Sequence, residues 1–476
     1  MRWRATLLLI LFVCICAVAQ VQVFLSWNDA RPYVEAISPD ALPAELKTGD
    51  PAANWPAWVR ERDKQVRARL DRGEDDTLYN FLMFGTSFTK EPRLTEDYMA
   101  QVEKTGGGKG QQQVATTFGR RVSDLIQALA QPNGNERLLF LRDFLRGRGY
   151  DLSTSEGQKK VRAYFASNAL RVVREYDQFA TELRSARASG NPTDEIATRA
   201  VLFRDRGIAL DTSLLPDYAL ETALVEMKKR GLYEPGSIER IAIIGPGLDF
   251  IDKSGGYDFY PQQSTQPFAV MDSLLRLGLA GKDFNLTTLD ISGRVNNHLE
   301  HARQRANLGE SYRIELVRDP RAGWHKEVVA FWQNFGSNIG TAVKPTPLPA
   351  EFKNLQSRAV SVRSEYVKRI NAVDLNAVYQ HLELPSDEKF DLVIATNILV
   401  YYDVFEQQLA LANLEHMLRP GGFLLTNNAM LELPNSTFKG VDYTAVPYSD
   451  QRADGDQIFW YQLQEKAGPA HENSTK

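Results

Sequence analysis

From residue 239 to residue 428, short β-rich runs alternate with helical patterns, and this alternation constrains the fold more than any other feature. The runs are 239–245 (ERIAIIG), 285–291 (NLTTLDI), 368–375 (KRINAVDL), 390–397 (FDLVIATN) and 421–428 (GGFLLTNN). Helical patterns at 266–279, 294–306 and 404–418 fall between them. Such alternation predicts an α/β fold with a mainly parallel, doubly wound sheet. The pattern then breaks. Residues 441–464 (VDYTAVPYSDQRADGDQIFWYQLQ) read as two strands joined by an Asp-Gly turn, a terminal antiparallel hairpin.

The first half has a different character. From about Trp58 to Arg230, apolar residues recur at three and four, as in 122–130 (VSDLIQALA), 135–149 and 159–188. A mostly α-helical N-terminal domain is therefore expected over 28–235, ahead of an α/β domain over 236–465 and a disordered tail over 466–476. Residues 28–60, rich in Pro, Ala and Trp, read as an irregular lead-in. The glycine-rich stretch 105–113 lacks the Gly-Lys-Ser/Thr ending of a phosphate-binding loop and reads as a flexible linker.

The chain begins MRWRATLLLILFVCICAVAQ, with two arginines ahead of an unbroken apolar stretch and Ala17-Val18-Ala19 as a small-x-small pattern. That is the form of a signal peptide over 1–19. Val21, Val23, Phe24 and Leu25 prolong the run, so an uncleaved anchor over 1–27 is the alternative. Either version places the body outside the cytoplasm, exported or membrane-anchored. The only two cysteines, Cys14 and Cys16, lie within this stretch, which removes disulfides, cysteine nucleophiles and thiolate metal sites from the folded body. With 56 Lys+Arg against 60 Asp+Glu, the formal charge is −4, and no basic surface points to nucleic acid.

Within the α/β half, Ile241-Ala-Ile-Ile-Gly245-Pro246-Gly247 reads as a strand and a glycine turn, where backbone amides can approach a ligand closely. Asp290 ends the second run, and its two carboxylate oxygens suit a vicinal diol. Asp374-Leu375 ends the third, Asn397 the fourth, and Leu418-Arg-Pro-Gly-Gly-Phe-Leu-Leu425 opens the fifth. In this order, over roughly 236–465, the motifs resemble the class I S-adenosylmethionine-dependent methyltransferases. Locally, Asn397-Ile-Leu-Val-Tyr-Tyr402 and Ser264-Thr-Gln-Pro-Phe-Ala269 resemble the chemoreceptor glutamate methyltransferases of the CheR type.

The resemblance implies a Rossmann-like methyltransferase sheet with S-adenosyl-L-methionine as cofactor. Gly245, Pro246, Gly247, Asp249, Asp290, Ile291, Asp374, Leu375 and Asn397 are the implied cofactor contacts, with Asp290 on the ribose and Asp374 near the adenine amino group. Ile243 stands where most of these enzymes carry an acid, Asp249 replaces a third glycine, Gln266 replaces a Glu and Thr396 replaces an Arg. These departures fall at the methionine end of the site, and Asp249 becomes the candidate carboxylate for the methionine ammonium. Residues 248–263 and 318–365 read as insertions expected to define the acceptor.

A methyl sulfonium is already activated, so the protein need only align an acceptor and exclude water. Asn397, Tyr401 and Tyr402 are the candidate catalytic residues, positioning an acceptor whose identity stays open, a carboxylate or another oxygen nucleophile being the first candidate. No metal motif is present; His298 and His301 read as solvent-facing, and His325 is a weak candidate base on an insertion. Two other classes compete. One is a non-catalytic cofactor-binding module with an interaction role outside the cytoplasm. The other, a dinucleotide oxidoreductase, is disfavoured because Gly247 and Asp290 are much farther apart than the roughly 20 residues of that fingerprint.

Overall fold

The computed structural model describes residues 21–104, 108–188, 207–208, 210, 213–251, 256–434, 436–450 and 454–465. The signal or anchor stretch up to residue 20 and the tail from 466 lie outside the described residues. In the N-terminal half, strand β1 (Val21–Phe24) leads to helices α1 (Trp27–Ala36), α2 (Ala44–Lys47), α3 (Pro51–Phe84), α4 (Glu96–Glu103), α5 (Gly108–Ala130), α6 (Glu136–Gly147), α7 (Ser155–Ala188) and α8 (Leu214–Lys229). The second half runs β2 (Ile238–Ile244), α9 (Gln266–Leu277), β3 (Ala280–Asp290), α10 (Gly293–Asn307), β4 (Tyr312–Arg318), α11 (Lys326–Asn334), β5 (Gly340–Val343), β6 (Gln356–Val362), α12 (Ser364–Val367), β7 (Ile370–Asp374), β8 (Gln380–Glu383), β9 (Phe390–Ala395), α13 (Val404–Met417), β10 (Leu418–Thr426), β11 (Phe438–Pro447) and β12 (Gly455–Leu463).

The central sheet has the order β11-β12-β10-β9-β2-β3-β7. Strands β7, β3, β2, β9 and β10 are parallel, and β12 joins antiparallel to β10 and to β11. The alternating runs and the hairpin thus form one sheet. Its strands are apolar on both faces: Ile241 and Ile243 enter one buried cluster while Ala242 and Ile244 enter another. Leu392 and Ile394 against Val393 and Ala395 repeat the division, as expected for strands covered on both sides. Helices α8, α9 and α10 cover the first face, and α13 together with Trp55, Trp58 and Val59 of α3 covers the second.

The lead-in at 28–60 is not irregular. Asp50 accepts a hydrogen bond from the Ala52 amide and Pro51 occupies the first helical turn, so α3 starts within it. Trp55, Trp58 and Val59 share one face, which outweighs the cost of Pro56 near the helix start. Trp58 packs on Tyr379 and Phe405 with ring centroids 6.1 and 5.8 Å away, while the Trp55 Nε1 donates to the Leu25 carbonyl at 2.8 Å. The glycine-rich linker is likewise shorter than expected, because α5 already begins at Gly108. Val21–Phe24 pair antiparallel with β8, and Leu25 is buried, so these apolar residues belong to the folded body.

Backbone contacts pin the segment around Ile208 and Leu210 to α3, and Leu210 in turn to the α/β half. A Cβ added to Gly73 of α3 would lie 1.9 Å from the Ile208 carbonyl oxygen, so only glycine lets the chain pass there. The Ile208 amide donates to the Arg69 carbonyl at 3.3 Å, and the Leu248 amide to the Leu210 carbonyl at 2.9 Å. Of the two insertions, 318–365 supplies α11, β5 and β6, and β4, β6 and β5 form a separate antiparallel sheet. The segment 248–263 is tied at its ends, the Asp249 amide donating to the Gln263 carbonyl at 2.7 Å. Its Phe250 and Ile251 bury among the N-terminal helices, where the Arg137 guanidinium donates to the Phe250 and Tyr260 carbonyls.

Candidate functional site

A cavity opens at the carboxyl ends of β2, β3, β7 and β9, where open α/β sheets place ligands. Strand β2 ends in the turn Gly245-Pro246-Gly247, with φ of 63° at Gly245 and 72° at Gly247. A Cβ at Gly245 would meet Ile398 Cδ1 at 2.1 Å, so this glycine lets the turn after β9 close against the turn after β2. Asp290 lines the cavity beside them and is 5% exposed. Its Oδ1 accepts the Ser292 amide at 2.7 Å. Burial pushes its carboxyl up to about 7, with the Asp374 charge adding to the rise and the Ser292 and Gly247 amides and Arg294 opposing it.

The fourth strand runs into Thr396 and Asn397. Asn397 has φ 59°, a left-handed conformation that Asn tolerates better than most residues. Its amide donates to Asn427 Oδ1 at 2.8 Å, and Asn427 Nδ2 returns a bond to Asn397 Oδ1 at 2.6 Å, joining the ends of β9 and β10 at the exposed side of the cavity. Gln266, at the start of α9, donates to Thr396 Oγ1 at 2.8 Å. Tyr401 and Tyr402 both line the cavity. Their turn is held from outside the sheet: Arg69 Nη2 donates to the Tyr401 carbonyl at 2.8 Å, and its guanidinium lies 5.9 Å from the Tyr402 ring centroid. Gln407 Nε2 donates to the Leu399 and Tyr402 carbonyls, both at 3.0 Å. Burial raises the Tyr402 phenol far above its ordinary range, so it acts as a neutral wall or hydrogen-bond donor.

The structure therefore brings together Gly245, Pro246, Gly247, Asp290, Ile291, Leu375, Asn397, Tyr401 and Tyr402. It does not bring Asp249 or Asp374 to that cavity. Asp249 is buried one turn away and accepts from Tyr260 Oη at 2.9 Å and Gln263 Nε2 at 3.2 Å. Asp374 faces outward and accepts from Arg67 Nη1 at 2.7 Å. Among the described residues, neither insertion contributes to the cavity wall; Ile208, Leu210 and the start of α8 do so on one side, and 375–378 on the other. His298 is not solvent-facing: its Nε2 lies 2.8 Å from Tyr312 Oη, and burial lowers its pKa to about 4. His325 is away from the cavity, with Nε2 3.1 Å from Asp450. Among the described residues no group of three or more His, Cys, Asp or Glu is placed to hold a metal ion.

One cavity residue carries no sequence motif. Asp217 of α8 is 2% exposed, and neither carboxylate oxygen has a hydrogen-bond partner in good geometry. It stands in a run of Leu, Pro, Ala and Tyr at the first turn of a helix, where an acid reads as an ordinary partner of the helix dipole. Burial pushes its carboxyl up to about 8, with Gln266 opposing the rise.

No family model matches the chain, and no curated protein does. Among solved structures, the chain is similar to the N-methyltransferase NodS from Bradyrhizobium japonicum WM9, at 14% identity over 52% of this chain and 95% of that one, TM-score 0.25. It is also similar to the glycopeptide N-methyltransferase MtfA complexed with S-adenosyl-L-methionine, at 12% identity over 54% and 97%, TM-score 0.25. A third is the magnesium protoporphyrin IX methyltransferase (ChlM) from Synechocystis PCC 6803, at 11% identity over 52% and 79%, TM-score 0.24. The fold rests on the sheet order and strand directions themselves.

Proposed function

We propose that the chain is an S-adenosylmethionine-dependent methyltransferase. The observation that carries this reading is Asp290, a buried carboxylate at the carboxyl end of the strand beside the glycine turn, in a cavity at the point where strand order reverses between β2 and β9. The residues fit the group: Asp290 offers two acceptor oxygens for a ribose diol, the Gly245–Gly247 turn offers approachable backbone, and Leu289, Ile291 and Leu375 offer apolar contact for a base. When bound, the cofactor supplies an electrophilic methyl group.

The protein's own part is alignment and dehydration. Asn397, fixed by Asn427, and the Tyr401-Tyr402 turn, fixed by Arg69 and Gln407, hold one wall on the acceptor side. An oxygen nucleophile, a carboxylate first, is the acceptor class that needs least help from a base. The local likeness to the CheR-type enzymes points the same way. Residues 1–19 serve as an export signal in this reading, or as the apolar core of an anchor that ends before the folded strand Val21–Phe24, placing the body outside the cytoplasm; a reporter fused after residue 465 reads its side of the membrane.

Calorimetric titration of the chain with S-adenosylhomocysteine tests the assignment. Saturable one-to-one binding that Asp290→Ala abolishes is the expected result. Absence of binding in the unaltered protein removes the reading. A non-catalytic module is favoured by one observation, Ile243 in the place of an acid, and methyl transfer to any acceptor by the binding-competent protein excludes it.

A further inference from the structure

Asp217 is a side chain in search of a partner. It is buried, it lines the cavity, and neither oxygen makes a well-formed hydrogen bond. Such a group costs free energy in the folded protein unless something supplies a donor. The neighbour that acts on it is the Gln266 side chain, whose Nε2 is already directed to Thr396 Oγ1, and among the described residues no basic side chain offsets its charge. A ligand in the cavity can supply those donors.

Its position indicates which part of a ligand arrives there. Asp290, Leu375 and the residues up to Val378 form the cavity wall on the β3 and β7 side of the glycine turn. Helix α8 packs on α9 and, among the strands, on β11 and β12, which lie on the other side of β2 in the sheet order. A ligand whose ribose sits on Asp290 and whose base follows toward β7 must send its amino-acid end toward Asp217. The residue expected from sequence to meet that end, Asp249, does not line the cavity, and its Oδ2 already accepts from Tyr260 and Gln263.

We infer that Asp217 is the carboxylate that receives the α-ammonium group of the cofactor's methionyl end, reached from the helix before the sheet rather than from the sheet itself. The inference rests on the proposed cofactor. It assigns the N-terminal half a direct part in the cofactor site: α8 delivers the charge that the sheet lacks at Ile243 and that Asp249 does not bring to the cavity. An ammonium group brings three donors and a positive charge, which satisfies both oxygens and favours their ionised form.

The test compares ligands that differ only at that end, on the full-length chain. S-adenosylhomocysteine carries the ammonium; its deaminated analogue lacks only that group; 5′-methylthioadenosine lacks the whole amino-acid end. Wild-type protein should bind S-adenosylhomocysteine roughly 10–100-fold more tightly than the deaminated analogue, the range of one charge-assisted hydrogen bond. Asp217→Asn should weaken S-adenosylhomocysteine by a similar factor and leave 5′-methylthioadenosine unchanged. Equal affinity of the wild type for the ammonium and deaminated ligands overturns the inference while leaving the cofactor assignment in place. Failure of the wild type to bind any of the three overturns both. The ligand comparison needs no variant, so a poorly folding Asp217→Asn does not decide the matter.

Discussion

Arg67 of α3 donates to the Asp374 carboxylate at 2.7 Å while its Nε bonds Asp63 at 3.1 Å, so the acid at the end of β7 is engaged by the N-terminal half. The pair is partly exposed, with side chains 30% and 56% accessible, so its contribution to stability is modest. Asp374→Asn should leave S-adenosylhomocysteine affinity within about twofold and lower stability by less than ~1 kcal/mol. Asp290→Ala should instead abolish binding. Titration and chemical denaturation of the two variants side by side check this; a large loss of affinity in Asp374→Asn would restore it as a cofactor contact.

Gly245 and Ile398 meet across the two turns, and a side chain at 245 faces two penalties. Its φ of 63° disfavours an L residue, and its Cβ would overlap Ile398 Cδ1 at 2.1 Å. Gly245→Ala should therefore destabilise by about 2–4 kcal/mol, from backbone strain plus overpacking. Adding Ile398→Ala should recover the overpacking share and leave the strain share, a coupling readable in a double-mutant cycle of urea unfolding. Strict additivity would mean that the two turns do not touch in solution.

Asp217 makes stability depend on pH in a defined direction. Its folded pKa, about 8, lies above an unfolded value of about 3.9, so between these the folded state holds a proton that the unfolded state has released. Stability is thus fully present at low pH and is lost as pH rises through the window, by up to ~1.4 kcal/mol per unit. Asp290 acts in the same direction up to about 7. Asp217→Asn removes its own contribution alone, so its stability relative to wild type should climb between about pH 5 and 8 and then level off. Urea midpoints across that range check it, and a difference that does not vary with pH would show that Asp217 titrates as if exposed.

Trp58 connects α3 to Tyr379 and Phe405, within a cluster that also holds strand residues of the central sheet. Trp58→Ala should destabilise by about 3–5 kcal/mol, as for other large buried aromatics. Because the lost contacts belong to both halves, one shared calorimetric transition should move to lower temperature. Two separated transitions, with only the first shifted, would mean that the halves unfold independently.

The α/β half was legible from sequence because its strands report their environment directly: Ile241 to Ile244 are apolar at every position, and Gly245 and Asp290 follow strand ends. The start of α3 was not, since Pro51, Pro56 and the tryptophans are individually poor helix signals; the stripe they form has meaning only against Tyr379 and Phe405, more than 300 residues away. Asp217 was invisible for a related reason. An acid in a first helical turn is common, and only its burial in a cavity made by distant turns sets it apart. Asp249 and Asp374 show the converse, acids in suggestive sequence positions whose partners, Tyr260 and Arg67, come from segments with no motif.

The close passage of Gly73 against Ile208 has a consequence for how this protein can diversify. Ile208 and Leu210 form part of the cavity wall, yet their place is set by a helix that begins at residue 51 and by a glycine with no room to change. A graft that exchanged everything before β2 for another leader would keep the rim formed by Gly245–Gly247 and Asp290 and remove the opposite wall. Inheritance of ligand preference should therefore follow the ancestry of both segments jointly, and chimeras divided near residue 235 should be blind to the ligands of either parent.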